Sequence, residues 1–413
     1  MKLRRLAIES FRNVRPGTEI EFDDGINVVL GKNGSGKTSL LEILGMLAVR
    51  NFSPISREAF GARFHLEHEG VPFTLTVRNT RHRDEGSTVE PRFAWDYEVA
   101  PWSGEWTLRV TAGRPGTLHI GADELQLEAP SPFDAGFWGF ALLGSAEVPA
   151  SVETVRNAGL ATGAPRFDEE LGFFHALVGD ASVAATSWGL VAPSVEYRIV
   201  LLDNRPTGYG ARVGEAWLSP RLWEAMRQKA VDDTGLTIAD VNVPFLREAC
   251  DLMGFETARL ALKVMSRNTA PNWDEVVLGP IAFILRRGGH SIGDRLLSYG
   301  QKRLLSYLFY ADSARDFVIA DELANGMHYD WIRACLEAVG DKQGFFASQN
   351  PLLMDHLVIR DSEQVRRSFV LCSEEDGTWV WRNMTSKEAE RFHAASSVGI
   401  QHVSEILRTR GLW

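Results

Sequence analysis

The sequence predicts an α/β fold, and three observations carry that reading. The octet Gly31-Lys32-Asn33-Gly34-Ser35-Gly36-Lys37-Thr38 fits the pattern G-x-x-x-x-G-K-[ST] without substitution. The apolar run Ile26 to Leu30 reads as a buried strand feeding it, and Ser39 to Val49 as the helix leaving it. Far downstream, the apolar strand Phe317-Val318-Ile319-Ala320 ends in two acids, Asp321 and Glu322.

Each residue type has a chemical reason. Glycine lets backbone N–H groups turn inward around a phosphate where a side chain would block the approach. The helix behind adds the positive end of its dipole. Asn33, Gly34, Ser35, Gly36, Lys37, Thr38 and Ser39 are therefore the expected nucleotide-binding residues. Lys37 is expected to reach the β- and γ-phosphates of ATP, and the Thr38 hydroxyl to meet Mg²⁺. Asp321 is expected to help hold the same Mg²⁺, and Glu322 to polarise the attacking water as general base.

The opening residues Lys2 to Glu9 alternate imperfectly and read as a strand, followed by a Pro16-Gly17 turn and a short strand at Glu19–Phe22. Leu40, Leu41, Leu44, Leu47 and Ala48 put one apolar stripe on the helix after the octet. Residues 60–130 alternate apolar with polar and predict antiparallel strands, as in Phe73–Val77, Trp106–Val110 and Leu118–Ile120. Arg78 to Glu90 reads as a solvated hairpin end, with phosphate contact by Arg81, His82 and Arg83 as the alternative.

Residues 131–271 say less. Phe133, Phe137, Trp138 and Phe140 suit a core helix or a partner patch, and Pro244 to Met265 reads as helix. Ile281–Arg286 is a strand with a turn at Gly288-Gly289. Leu304, Leu305, Leu308 and Phe309 share one helical face, which sets Ser298 and Gly300 at that helix's N-terminus. His328 is read as a helix-start or dimer-contact residue rather than a catalytic one. Gly344–Ser348 is a buried strand, and Leu357–Ile359, Ser368–Cys372 and Thr378–Trp381 are strands, the last two joined by an Asp376-Gly377 turn. Val398 to Trp413 closes as a helix.

Composition bounds the rest. A chain of 413 residues predicts two or three lobes. Lys+Arg 44 against Asp+Glu 54 gives a net charge of −10, which argues against a globally basic nucleic-acid binder but leaves room for a local basic groove. Cys250, Cys335 and Cys372 are far apart and predict buried core thiols in a reducing cytoplasm. Residues 1–15 hold no apolar signal core, and the uncharged runs Ala135–Ala146 and Ala181–Val195 are short for a membrane span. His65 and His68 are too isolated to predict a metal site.

The runs RLAIESFRN and GINVVLGKNGSGKTSLLEIL resemble the amino-terminal half of an ABC-type ATPase head of the RecF, SMC and overcoming-lysogenization-defect branch. The likeness covers roughly the first 50 and last 130 residues. Leu297-Ser298-Tyr299-Gly300-Gln301 is similar to the ABC signature LSGGQ, and DELANGMHYD is closest in wording to the phage-defence ATPases.

The resemblance implies a head with a mixed or parallel core sheet, an antiparallel β-lobe and a compact, mostly helical insertion without a coiled coil. It implies an N-terminal lobe over 1–130, the insertion over 131–270 and a C-terminal lobe over 271–413. It further implies a homodimer in which Ser298, Gly300 and Gln301 of one copy complete the ATP held by Lys37 of the other. Gln349 stands where relatives carry a γ-phosphate-sensing histidine; it can donate a hydrogen bond but cannot titrate. Gln126 is a candidate for the Mg²⁺-contacting glutamine between the lobes. The implied function is an ATPase gating a separately encoded effector in anti-phage defence. A RecF-like DNA-repair clamp and a nucleotide-gated scaffold with very slow turnover are the alternatives. DNA as a partner stays open, and no membrane partner is implied.

Overall fold

The computed structural model describes residues 1–48, 52, 55, 57–68, 70–82, 92–102, 106–111, 116–120, 123–127, 196–213, 220–271, 273–314, 316–348, 351–397 and 405. They fall into two compact units, one of Met1–Phe167, Asp341–Pro351 and Leu357–Trp413, the other of Asp168–Gly340 and Leu352–His356.

The first unit holds β1 (Lys2–Phe11), β2 (Thr18–Glu21), β3 (Ile26–Gly31), α1 (Lys37–Ala48), β4 (Phe60–His68), β5 (Val71–His82), β6 (Arg92–Pro101), β7 (Trp106–Thr111), β8 (Gly116–Ile120) and β9 (Asp123–Leu127). All of these strands but β3 form one sheet in the order β2-β1-β4-β5-β6-β7-β8-β9, every neighbour antiparallel. The alternation expected over 60–130 is its cause. Ala62, Phe64 and Leu66 are buried, as are Phe73, Leu75 and Val77, while Arg63 is exposed and His65 and Thr74 are half-buried.

The second unit continues the chain with β10 (Glu196–Leu202), β11 (Arg205–Val213), α2 (Pro220–Arg227), β12 (Gly235–Ala239), α3 (Pro244–Leu252), β13 (Thr257–Ala270), β14 (Trp273–Leu278), β15 (Ala282–Arg287) and β16 (His290–Gly293). Its sheet runs β11-β10-β14-β13-β15-β16, with β12 also paired to β13. Helix α4 (Tyr299–Ser313), β17 (Phe317–Asp321) and α5 (Tyr329–Glu337) follow.

Two expectations need correction here. Pro244 to Met265 is not one helix: α3 stops at Leu252, Gly254 turns the chain at φ +72°, and β13 begins at Thr257. Ala258, Leu260 and Leu262 are buried while Thr257, Arg259 and Lys263 are exposed, a period of two hidden behind a helix-like composition. The mostly helical character expected for 131–270 likewise fails for residues 196–213 and 220–270, where strand prevails. Residues 128–195, including Phe133, Phe137, Trp138 and Phe140, lie outside the described set.

The chain returns to the first unit with β18 (Gln343–Ala347), then α6 (Pro351–Met354), α7 (Ser362–Ser368), β19 (Phe369–Glu375), β20 (Thr378–Asn383) and α8 (Ser386–Ser397). Strands β18 and β19 flank β3, both parallel to it, and β20 lies antiparallel beyond β19. Every residue of β18 is buried, as parallel strands covered on both faces require. Buried Gln343 joins this layer to β1: its amide donates to the carbonyls of Leu3 (2.8 Å) and Asp23 (2.7 Å) and accepts from Leu3 N–H (2.7 Å). Asp376 and Gly377 turn the β19–β20 hairpin at φ 50° and 77°.

Leu357–Ile359 is not a strand, a further correction. Val358 is 81% exposed, and Asp361 starts α7 two residues later by accepting from Gln364 N–H at 2.7 Å. Residues 83–90, Gln349 and, apart from Glu405, the expected closing helix over 398–413 lie outside the described residues.

Candidate functional site

In the first unit, β3 delivers the chain to the octet at Gly31, and α1 starts at Lys37. Gly31 cannot carry a side chain, because a Cβ there would lie 2.3 Å from the carbonyl oxygen of Cys372 and 2.6 Å from Ser35 Oγ. The turn is drawn closed by Ser35, whose Oγ donates to the Lys32 carbonyl at 2.8 Å. Gly34 and Gly36 then take φ 85° and 84°, the left-handed region glycine enters freely. A Cβ on Gly36 would also strike the Trp379 ring at 2.7 Å.

Buried Lys37 curls back over this loop, its Nζ donating to the carbonyls of Gly31 (2.9 Å) and Lys32 (3.1 Å). The first-turn N–H groups of α1 have no acceptor within the helix. A glycine-shaped loop that carries a lysine ammonium and opens a helix suits a polyphosphate. The residues present fit Mg²⁺–ATP in donor chemistry: Lys37 and the loop amides for phosphate, Thr38 for the metal.

Three neighbours of the loop lie outside the octet. Arg12, at φ 44°, donates to Ser39 Oγ (2.9 Å), pairs with Glu42 (2.6 Å) and Glu58 (2.9 Å), and lies over the Phe11 ring. Ser39 thus engages Arg12. Trp381 on β20 donates from Nε1 to the Ser35 carbonyl at 3.2 Å. Cys372, beneath Gly31, is a thiol that burial pushes up to about 12 even with Lys37 pulling the other way, so it stays neutral.

The second unit gathers the other motifs. Ser298 is the N-cap of α4: its Oγ accepts from Gln301 N–H (3.4 Å), and Gln301 Oε1 accepts from Ser298 N–H (2.9 Å). This reciprocal pair gives both residues a structural role alongside any contact with phosphate. Gly300 is forced by packing, since a Cβ would lie 2.5 Å from the Gly326 carbonyl.

Strand β17 ends in Asp321, and the next residue, Glu322, sits at φ 50°. Carboxylate side chains rarely adopt that backbone, so neighbours must hold it. Asn325 Nδ2 donates to Glu322 Oε2 at 3.3 Å. Arg303 on α4 donates to the carbonyls of Leu323 (3.1 Å), Asp321 (3.2 Å) and Glu322. One guanidinium therefore ties the signature helix to the acid-bearing turn. Arg303 lies two residues past the signature in sequence, yet no local pattern marks it.

His328 caps α5, its ring accepting from Asp330 N–H at 3.4 Å, which accords with the helix-start reading. Gln126 lies on β9 with its backbone opposite Thr117.

Residues 1–81 match the family described as the AAA ATPase domain. Among curated proteins, the DNA replication and repair protein RecF of Shewanella piezotolerans is 31% identical over 134 residues, 32% of this chain and 33% of that protein. RecF of Psychromonas ingrahamii is 46% identical over 76 residues, 18% of this chain and 20% of that protein. The chain thus aligns with about a third or less of the length of these relatives. A solved SMC head bound to the C-winged helix domain of ScpA aligns with 95% of this chain and 100% of that one, at 13% identity and a TM-score of 0.42. Over its amino-terminal part the chain is similar to the AAA ATPase domain family and to RecF, and its described residues form a mixed α/β architecture around the octet.

Proposed function

We propose that this ABC-type ATPase of the RecF and SMC branch binds Mg²⁺–ATP at the octet and hydrolyses it as a two-fold dimer. The observation that carries the reading is Lys37 folded over the Gly31 and Lys32 carbonyls of a glycine-shaped loop at the start of α1. Lys37, the loop amides and Ser39 hold the triphosphate. Thr38 and Asp321 hold Mg²⁺, which neutralises phosphate charge when bound. Glu322 accepts a proton from the attacking water, and Gln349 donates a hydrogen bond to the terminal phosphate. Ser298, Gly300 and Gln301 of a second copy complete each site.

The Arg303 grip supports a gating role for the cycle. Any shift of the Glu322 turn on turnover is transmitted to the signature helix that faces the other copy. The wording DELANGMHYD supports an effector protein in phage defence as what is gated, in the cytoplasm. The alternative, a DNA-repair clamp, is favoured by the RecF relatives over the amino-terminal part.

Lys37→Ala is expected to abolish most binding of a fluorescent ATP analogue, because the ammonium facing the phosphates is lost; undiminished binding overturns the ATP reading. Turnover measured with and without DNA separates the two roles. Strong DNA stimulation supports the clamp, and indifference to DNA supports a protein effector.

A further inference from the structure

A cavity of about 660 Å³ opens on the outer face of the eight-stranded sheet, at the end of β1 remote from the octet. Arg5 lies six residues before Phe11, where that extended strand ends, about 20 Å away at roughly 3.3 Å per residue. None of the cavity's lining residues belongs to the octet. Its volume lies in the range of small-molecule sites, about 300–1,000 Å³.

The lining is chemically selective. Three guanidinium groups, from Arg4, Arg5 and Arg367, face one carboxylate, Glu21, which Arg366 already pairs. Arg4 is held by Glu67 (2.9 Å) and Asp24, and Arg5 by Glu19 (2.8 Å) through Nη2. The buried Nε–H of Arg5 nevertheless has no hydrogen-bond partner, nor does that of Arg367, which lies 3.5 Å from Glu363. Arg5 Nε–H is thus a buried cationic donor without an acceptor, while Arg367 Nε has only the longer pairing with Glu363.

The second wall is aromatic and held rigid. Arg5, His65, Thr74 and Ala100 sit opposite one another across β1, β4, β5 and β6. Trp102, 59% exposed, donates from Nε1 to Thr74 Oγ1 (3.1 Å) and stands edge-on to the His65 ring at 5.9 Å. Thr74 Oγ1 also shares a hydrogen bond with His65 Nδ1 at 3.2 Å. Burial, with Arg5 and Arg63 nearby, lowers the pKa of His65 and favours its neutral ring.

We propose that this cavity is a second ligand site, independent of the octet, that takes a nucleoside 5′-phosphate. The phosphate meets the guanidinium groups of Arg5 and Arg367, and the base stacks on the indole of Trp102. The same chemistry is carried by a free mononucleotide and by the 5′ end of a nucleic-acid strand.

The test is calorimetric titration of the full-length Lys37→Ala protein, whose octet is disabled, so that failure here leaves the ATP reading untouched. AMP is expected to bind with one-to-one stoichiometry. Adenosine and ribose 5-phosphate are expected to bind about tenfold more weakly or worse, since each lacks one half of the recognition. Trp102→Ala should weaken AMP about tenfold, and Trp102→Phe should recover part of that loss. Arg5→Lys keeps the charge opposite Glu19 but removes Nε–H, and should also weaken AMP. Circular dichroism and the melting temperature show that each variant folds. A 5′-phosphorylated tetranucleotide that binds in a Trp102-dependent way where AMP does not would support the site with a strand end as its source. Absence of binding by every probe, or AMP binding unchanged by all three substitutions, would overturn it.

Discussion

The indole Nε1 of Trp381 donates to the main-chain carbonyl of Ser35 at 3.2 Å, fastening the middle of the phosphate loop to the last strand of its sheet. Trp381 is 2% exposed and stacks with Trp379, whose ring in turn fills the space where any side chain on Gly36 would lie. The loop's curvature is thus shaped from behind by β20 as well as by its own glycines.

Trp381→Phe keeps an aromatic ring and deletes the donor. A buried carbonyl left without its partner costs about 1–3 kcal/mol. Chemical denaturation should show a loss of that order, and a fluorescent ATP analogue should bind several-fold more weakly. Unchanged affinity would mean that the loop holds its shape without β20.

Glu322→Gln keeps the shape of the side chain and its contact with Asn325 while removing the proposed base. Steady-state turnover should fall by about two orders of magnitude, with ATP still bound. Turnover close to wild type would assign the water to another residue.

The proposed completion of each ATP site by a second copy predicts a complementation. Lys37→Ala homodimers lose the phosphate loop in both sites, and Ser298→Arg homodimers lose the signature in both. In a mixed dimer both defects fall in one site and the other is wild type. Mixing the two inactive proteins with subunit exchange should therefore restore measurable ATPase activity. If the two sites fire only together the mixture stays silent, and ATP-dependent crosslinking of Glu322→Gln protein decides. A strictly monomeric Glu322→Gln protein at saturating Mg²⁺–ATP would count against the dimer.

Acid stability offers a check on the first unit. Hydrogen bonding from Arg382, and from Thr385 at the start of α8, holds Glu388 down at about 2, against 4.5 for an unperturbed glutamate. A lowered carboxylate stabilises the fold fully above the unfolded value, and that stability drains away as pH falls from about 4.5 through about 2. Solvent reaches this pair, so the expected contribution is only about 1 kcal/mol at neutral pH. Glu388→Gln should lose that amount at pH 7 and converge with wild type near pH 2, read as the difference between their urea midpoints.

What the sequence determined by itself is local. The octet, its feeding strand, the helix behind it, the acid-ended strand at Asp321 and the cap at Ser298 are each written within a few consecutive residues, because strand, turn and cap are decided by neighbouring dihedrals and side chains. The alternation over residues 60–127 likewise announced strands, but not which strand lies beside which. Tertiary structure decided everything that depends on distant segments meeting. Composition alone could not show that the chain turns at Gly254 from α3 into β13, since Leu260 and Leu262 suit a helix until β12, β14 and β15 pair with that strand. Trp381 beneath Ser35, Arg303 across the Glu322 turn and Gln343 between β1 and β18 have no pattern of their own. Each is a hydrogen bond to a main-chain carbonyl, a group every residue possesses. No side-chain pattern in the sequence can therefore point to the partner, and only the folded path of the chain brings donor and acceptor together.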